Sequence, residues 1–311
     1  MDWAQLWEIV SQPDNVPIVA LVVLVPFFAW YGLRQSSASD RLIAELERDP
    51  ALAKTHHRKI QPFQRGWSTE LQVWPYLLRI EFLAAIVVTL VLMIWSVSLN
   101  APLEEPANPN HTMNPSKAPW YFVGLQEMLV YFDPWFAGVV LPTLIIVGLM
   151  VFPYIDANPL GSGYYTIRQR TVALAGFGVG FVLWLLLIFI GTFVRGPGWM
   201  WFWPGQSWDH TRVIYEVNRN LPDVIGITNV LGRIVLGVIV IAAFYAATGW
   251  AIHWLVTRSA LNRKIYQRTS LLQYAIFQFF AITILAGLPA KMLLRLLFRI
   301  KYVLITPWFN V

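Results

Sequence analysis

Hydrophobic positions along this chain come in long blocks. Apolar runs occupy about 17–33, 77–99, 138–155, 171–194, 230–256 and 272–290, with polar connections between them. Crossing the hydrocarbon core of a bilayer takes roughly 20 helical residues, because a backbone amide left unpaired there costs several kcal/mol. The blocks therefore predict six transmembrane helices, the first the shortest and kinked by Pro26. Within the first connection, SDRLIAELERDP predicts a short solvated helix, with Ser39 as N-cap and Pro50 beyond its end. After the last block, Lys291, Arg295 and Arg299 recur at every fourth position between Leu and Phe residues. That stripe predicts an amphipathic helix lying in the membrane interface, with Gly287 and Pro289 bending the chain into it. The fold class expected is all-α: a polytopic transmembrane helical bundle of about six spans plus short amphipathic interfacial helices.

Composition strengthens the class. Of 311 residues, 57% are hydrophobic and only 13% charged, where a soluble domain carries roughly 25% charged residues. Charge also orients the chain. The 34–76 connection holds Arg34, Arg41, Arg48, Lys54, Arg58, Lys59 and Arg65, whereas 99–137 holds only Lys117. The 156–170 and 257–271 loops are basic as well, and these alternate connections share one face, the cytoplasmic one. The N-terminus is then outside, and because it lacks a basic start it does not read as a cleavable signal. Six crossings place the C-terminal tail outside too, although it carries Lys291, Arg295, Arg299 and Lys301. The net charge of +6 follows mostly from the cytoplasmic loops and calls for no nucleic-acid partner. Three segments result: 1–76, a first helix and basic loop; 77–194, a central membrane domain; and 195–311, an outer loop, two helices and the tail.

The chain has no cysteine, which excludes disulfides, thiolate metal sites and protein-held iron–sulfur clusters. No metal site is expected. Of five histidines, His56, His57, His111 and His210 fall in loops, and only His253 lies in an apolar run. A single intramembrane imidazole does not make a bis-histidine haem site, so His253 reads as a hydrogen-bonded helix-interface residue. The stretch RGPGWMWFWPGQSWDH (195–210) reads first as an aromatic belt at the headgroups.

Between the second and third runs lies NPSKAPWYFVGLQEM (114–128). Pro119 suits the first position of a helix and pushes Ala118 out of the α region. A helix from there places Trp120, Val123, Gly124, Glu127 and Tyr131 on one face. Such a face offers an aromatic lid, a glycine gap and a carboxylate, which fits a flat apolar ring with a hydroxyl to deprotonate. The same residues are also compatible with a short interfacial helix carrying belt aromatics and a solvated Glu127.

At these residues the sequence resembles the C-terminal half of cytochrome b, or the separate subunit IV, of bc-type quinol–cytochrome c oxidoreductases. Three stretches carry the resemblance. PLEEPANPNHTMNPSKAPWYF (102–122) resembles the family's outer quinol-site loop with its Pro-Glu-Trp-Tyr signature, VLPTLIIVGLMVFPYIDANP (140–159) the following helix, and VWPYLLRIE (73–81) the entry to the first helix of this half. The resemblance covers about 77–194, and the first helix and everything after about 195 depart from a minimal subunit IV.

The resemblance implies a membrane subunit that forms part of an outer, quinol-oxidising site and contributes to electron transfer and proton translocation. Pro119, Trp120, Tyr121, Phe122 and Gly124 would line that site. The family's glutamate position is occupied by Pro119, so Glu127 becomes the expected proton acceptor. Burial disfavours the charged form of a carboxylate, which suits that task. Relatives lacking the usual glutamate often use menaquinol. Arg79 and Glu81, just inside an apolar run, are the corresponding candidates for an inner quinone site, or charges that snorkel to the headgroups. Haem b and the iron–sulfur cluster are implied on partners, namely a haem-bearing cytochrome b N-terminal-half subunit, a Rieske iron–sulfur protein and a cytochrome c subunit. The assembly implied is a dimeric complex in a bacterial inner membrane, in contact with lipid. The alternative is a non-catalytic anchor or assembly subunit of another respiratory complex.

Overall fold

A computed structural model describes residues 3–55, 73–101, 103, 106–110, 112–158, 165–208 and 217–311. His56, His57, Glu105, His111 and His210 lie outside the described residues. Six helical segments are long and apolar enough to cross a membrane: Val16–Arg48, Val73–Ser98, Phe136–Ile155, Arg168–Val194, Val230–Arg258 and Leu271–Phe298. These are the six runs read from the sequence, each lengthened at one or both ends. The chain is an all-α polytopic membrane protein, its strand content among the described residues a short parallel pair, β1 (Arg219–Asn220) with β2 (Ile300–Tyr302).

The chain divides into two units, Met1–Thr112 with Pro159–Tyr165, and Met113–Asn158 with Thr166–Val311. In the first, α1 (Trp3–Ser11) precedes α2 (Val16–Arg48). The separate helix expected from Ser39 does not form: α2 runs straight through it to Arg48. Ser36 and Ser37 hydrogen-bond back to the carbonyls of Gly32 and Leu33, so these serines serve the helix interior instead of interrupting it. Pro50 opens the next helix, α3 (Pro50–Thr55). Arg79 and Glu81 lie in the first turn of α4 (Leu78–Ser98), both exposed.

The second unit holds α5 (Trp120–Met128), α6 (Leu141–Ile155), α7 (Thr171–Phe189), α8 (Leu221–Ile225), α9 (Val230–Arg258), α10 (Ala260–Tyr266), α11 (Leu271–Phe280) and α12 (Gly287–Phe298). A π-helical turn, Ala281–Ala286, joins α11 to α12 without a break, so the interfacial tail helix expected from the basic stripe is the end of the sixth span. Pro289 sits just after this π turn, in the first turn of α12. Lys291 and Arg295 are turned inward and buried, with the Lys291 ammonium 5.6 Å from the Phe132 ring and 5.8 Å from that of Tyr302. The stripe is a core feature of this unit, and Leu293, Leu296, Leu297 and Phe298 form the exposed face. His253 on α9 hydrogen-bonds through Nδ1 to the Tyr274 hydroxyl on α11 at 2.6 Å, an interhelical contact of the kind its position suggested.

Candidate functional site at the start of α5

α5 begins one residue later than Pro119, which acts as its N-cap with extended ψ and accepts N–H bonds from Phe122 (2.8 Å) and Val123 (3.0 Å). The strap before it is tied to the helix by Gln126, whose amide accepts from the Ala118 N–H and donates to the Ser116 carbonyl, both at 2.8 Å. One glutamine thus fixes both the approach and the first turn.

The face predicted from spacing exists, but it packs against α7 and leaves no slot. Val123, Gly124 and Glu127 are buried, and Tyr131 follows in the turn after the helix, equally buried. The gap expected at Gly124 is filled: a Cβ there would sit 3.1 Å from Ile188 Cγ1. Opposite, a Cβ on Gly191 would meet Val123 Cγ2 at 2.9 Å and the Val123 carbonyl at 3.2 Å. Two glycines therefore set how closely α5 approaches α7 and the π turn Ile190–Val194 after it.

The order of contacts gives the depth. Trp120 lies against Trp184 (ring centroids 6.5 Å), Gly124 against Ile188, and Glu127 against Arg195. α5 runs in the same direction as α7, starting beside a residue ten positions before the end of the fourth span at Val194. At 1.5 Å per residue its first turn lies roughly 15 Å inside that end. The strap thus re-enters alongside the fourth span and α5 returns toward its end, with Gln126 satisfying the Ala118 N–H and the Ser116 carbonyl on the way. At the deep end, Tyr121 and Phe122 are 50% and 54% exposed and touch each other at 4.9 Å. Pro119, Trp120, Tyr121 and Phe122 thus form a partly exposed aromatic edge, while Gly124 and Glu127 lie behind it.

Glu127 is the centre of the polar network (0% exposed). Arg195 donates from Nε to both carboxylate oxygens (3.2 and 3.0 Å) and from Nη2 to Oε1 (2.8 Å). Tyr131 donates its hydroxyl to Oε1 and Trp199 its indole N–H to Oε2, each at 2.8 Å. Burial works against the Arg195 charge, but the hydrogen bonds and charge of Glu127 outweigh it and hold the guanidinium above its ordinary pKa. Burial and then the neighbouring carboxylate push the Tyr131 phenol up, which keeps its donor proton in place. Removing one partner of a buried pair of this kind costs about 3–5 kcal/mol.

The RGPGW stretch is shaped to deliver these donors. A Cβ on Gly196 would strike Phe202 at 2.5 Å, and Gly198 has φ +64. Trp199 follows at φ +59, a left-handed conformation that is an outlier for a bulky residue. It costs about 1–3 kcal/mol. Its carbonyl accepts from Arg195 Nη1 at 3.0 Å while its indole reaches Glu127, so the strained residue is held at both ends. Two further ties reach the strap: Gly198 N–H donates to Asn114 Oδ1 (2.5 Å), and Lys117 Nζ donates to the Thr192 carbonyl in the π turn before this stretch (2.8 Å). Burial lowers the Lys117 pKa to about 8 against the opposing pull of Glu127. Sequence reading missed Arg195 and Trp199, taking them for belt residues. The signal available was an arginine at the end of an apolar run, followed by two glycines flanking a proline.

The fold and this site define a multi-pass, all-α membrane protein with a re-entrant, internally ion-paired helix beside its fourth span. Residues 106–203 match the family described as Cytochrome b(C-terminal)/b6/petD. The matched segment, about a third of the chain, runs from the strap through α5, α6 and α7 to the RGPGW stretch, and its likeness to that family supports a membrane subunit of a cytochrome bc-type complex. It leaves out VWPYLLRIE (73–81), with Arg79 and Glu81, and takes in 195–203, which was expected to depart from a minimal subunit IV. No curated protein and no solved structure matches the chain.

Proposed function

We propose that this chain forms part of the quinol-oxidising site of a bc-type quinol–cytochrome c oxidoreductase, with the aromatic edge of α5 as its contribution. The observation that carries the reading is the depth and exposure of Tyr121 and Phe122 within the family-matched segment. A quinol is a flat, lipid-borne molecule, and an aromatic edge about 15 Å inside the end of a span meets it where it travels. Stacking on Tyr121 and Phe122, backed by Trp120 and Pro119, would orient the ring. Oxidation releases two protons and two electrons, and the electrons pass singly to an iron–sulfur protein and to haem b on partner subunits. In this chain's own polar groups we see positioning more than proton transfer. Glu127, the expected proton acceptor, receives N–H and O–H bonds from three residues and is sealed from the exposed edge, which favours an anchoring role. Asp133, the next carboxylate along the chain, accepts the Trp135 N–H at 3.1 Å as a helix-start cap. The proton acceptor then belongs to the partner chain or to water at the rim. The orientation with the N-terminus outside, a bacterial inner membrane, a dimeric assembly with Rieske and cytochrome c subunits, and a preference for menaquinol complete the reading.

The test uses the complex purified with its partners and assayed as quinol:cytochrome c oxidoreductase. Tyr121→Ala and Phe122→Ala should each raise the apparent quinol KM with the assembly intact. Unchanged quinol affinity in the double variant, or an assembled complex without quinol oxidation, would remove the reading in favour of a non-catalytic anchor.

A further inference from the structure

Resting on that reading, we infer that Arg195 is a positioning residue for quinol oxidation: with Trp199 it forms a latch on Glu127 that fixes where the Trp120–Phe122 edge stands. α5 is nine residues long, and its carboxyl end carries Glu127 while its amino end carries the edge. Between them the helix meets α7 closely where Gly124 faces Ile188, and the π turn after it where Val123 faces Gly191. Such contacts set the distance between the helices but are not directional.

What resists rotation and sliding of α5 is directional. The guanidinium of Arg195 is planar and grips both oxygens of Glu127 through Nε and Nη2, while its third nitrogen, Nη1, is held by the Trp199 carbonyl. Arg195 itself cannot turn, because its guanidinium lies 5.5 Å from the Trp201 ring and its backbone pairs with Trp201 across a short bridge. Trp199 closes the ring by donating to the second carboxylate oxygen from a left-handed backbone position. Backbone strain maintained by two hydrogen bonds to one ion pair points to function more than to filling. The latch also spans two parts of the sequence 68 residues apart, so it couples the re-entrant helix to the end of the fourth span.

Three variants of the assembled complex test this. Glu127→Gln and Arg195→Gln each leave a buried charge without its partner and should reduce assembly, read as co-purification of the partner subunits. The double variant carries two neutral amides and should restore assembly. A latch predicts that the restored complex still binds quinol poorly, with apparent KM raised about tenfold, since a displacement on the order of an ångström weakens well-placed chemistry by up to ~100-fold. Wild-type KM and kcat in the restored complex would show that the pair only stabilises, and would overturn the inference. Should the double variant fail to assemble, Trp199→Phe decides: it keeps the ring and removes one N–H, so a raised KM with normal assembly supports the latch and an unchanged KM overturns it. These outcomes presuppose quinol oxidation by the wild-type complex. Its absence would defeat the functional reading instead, leaving the two failures distinct.

Discussion

Gly191→Ala is the sharpest perturbation of the α5–α7 contact. The added methyl would lie 2.9 Å from Val123 Cγ2, 3.4 Å from Val123 Cγ1 and 3.2 Å from the Val123 carbonyl oxygen. Valine is stiff at χ1, and a backbone oxygen on the same side blocks the rotamer escape, so α5 itself must retreat by several tenths of an ångström. Overpacking of this kind costs about 1–3 kcal/mol. Against it stands the gain of alanine over glycine in a helix, about 0.5–1 kcal/mol. The net expectation is a loss of up to ~2 kcal/mol. Gly178, on the same helix with nothing within 4 Å of its would-be Cβ, is the control, and Gly178→Ala should be neutral or stabilising. Thermal dissociation of the purified complex would read the stability difference, and quinol titration would read displacement of the edge. A second-site change, Val123→Ala, removes both clashing methyls but leaves the carbonyl, so it should recover only part of the midpoint lost in the Gly191→Ala background. If Gly191→Ala matches Gly178→Ala in midpoint and in quinol KM, the close approach of these helices does not position the site.

Other expectations follow from single features. Lys117 has its pKa lowered from 10.5 to about 8, so the native state binds fewer protons than the unfolded chain between those values. Stability should therefore rise with pH across that window, the penalty being fully present below about pH 8, and Lys117→Met should flatten the slope in a pH series of unfolding midpoints. A topology reporter inserted in 34–76 should read cytoplasmic and one in 99–137 external, given seven basic residues against one; the reverse pattern would remove the outer-site argument. Expressed alone, the chain should show no b-type haem absorbance, since its one intramembrane histidine is engaged with Tyr274; a stoichiometric bis-histidine haem would contradict this.

The helices were legible because their cause is local. A bilayer forces about 20 apolar residues into one helix whatever surrounds them, so six runs gave six spans. What failed was punctuation. Ser39 looked like a helix start, yet a serine inside a long helix satisfies its hydroxyl on its own backbone, as Ser36 does on Gly32. Gly287 and Pro289 looked like a bend, but they fall where α12 takes over from a π turn and the helix runs on. The basic stripe at 291, 295 and 299 carries a spacing that makes a face, and spacing alone does not say what the face meets. Lys291 turns toward Phe132 and Tyr302, Arg295 is buried on the same face, and Arg299 leaves the helix in a left-handed cap.

The same ambiguity decides how Glu127 is read. Its face was correctly assembled from i, i+3 and i+4 spacing, and a face containing a glycine and a carboxylate describes a ligand slot and a tightly packed ion-paired seam equally well. The two differ only in what stands opposite. Ile188 fills the glycine gap and Arg195 meets the carboxylate, and both come from a segment more than 60 residues further along the chain. No pattern within 114–128 encodes them. The stretch that supplies the counter-charge looked like a belt of tryptophans because arginine and tryptophan are the residues a membrane rim ordinarily collects. Its second character lies in the glycines. Gly196 stands where Phe202 leaves no room for a Cβ, and Gly198 turns the chain so that Trp199 faces inward. A rim needs neither feature, whereas a clamp on a buried carboxylate needs both.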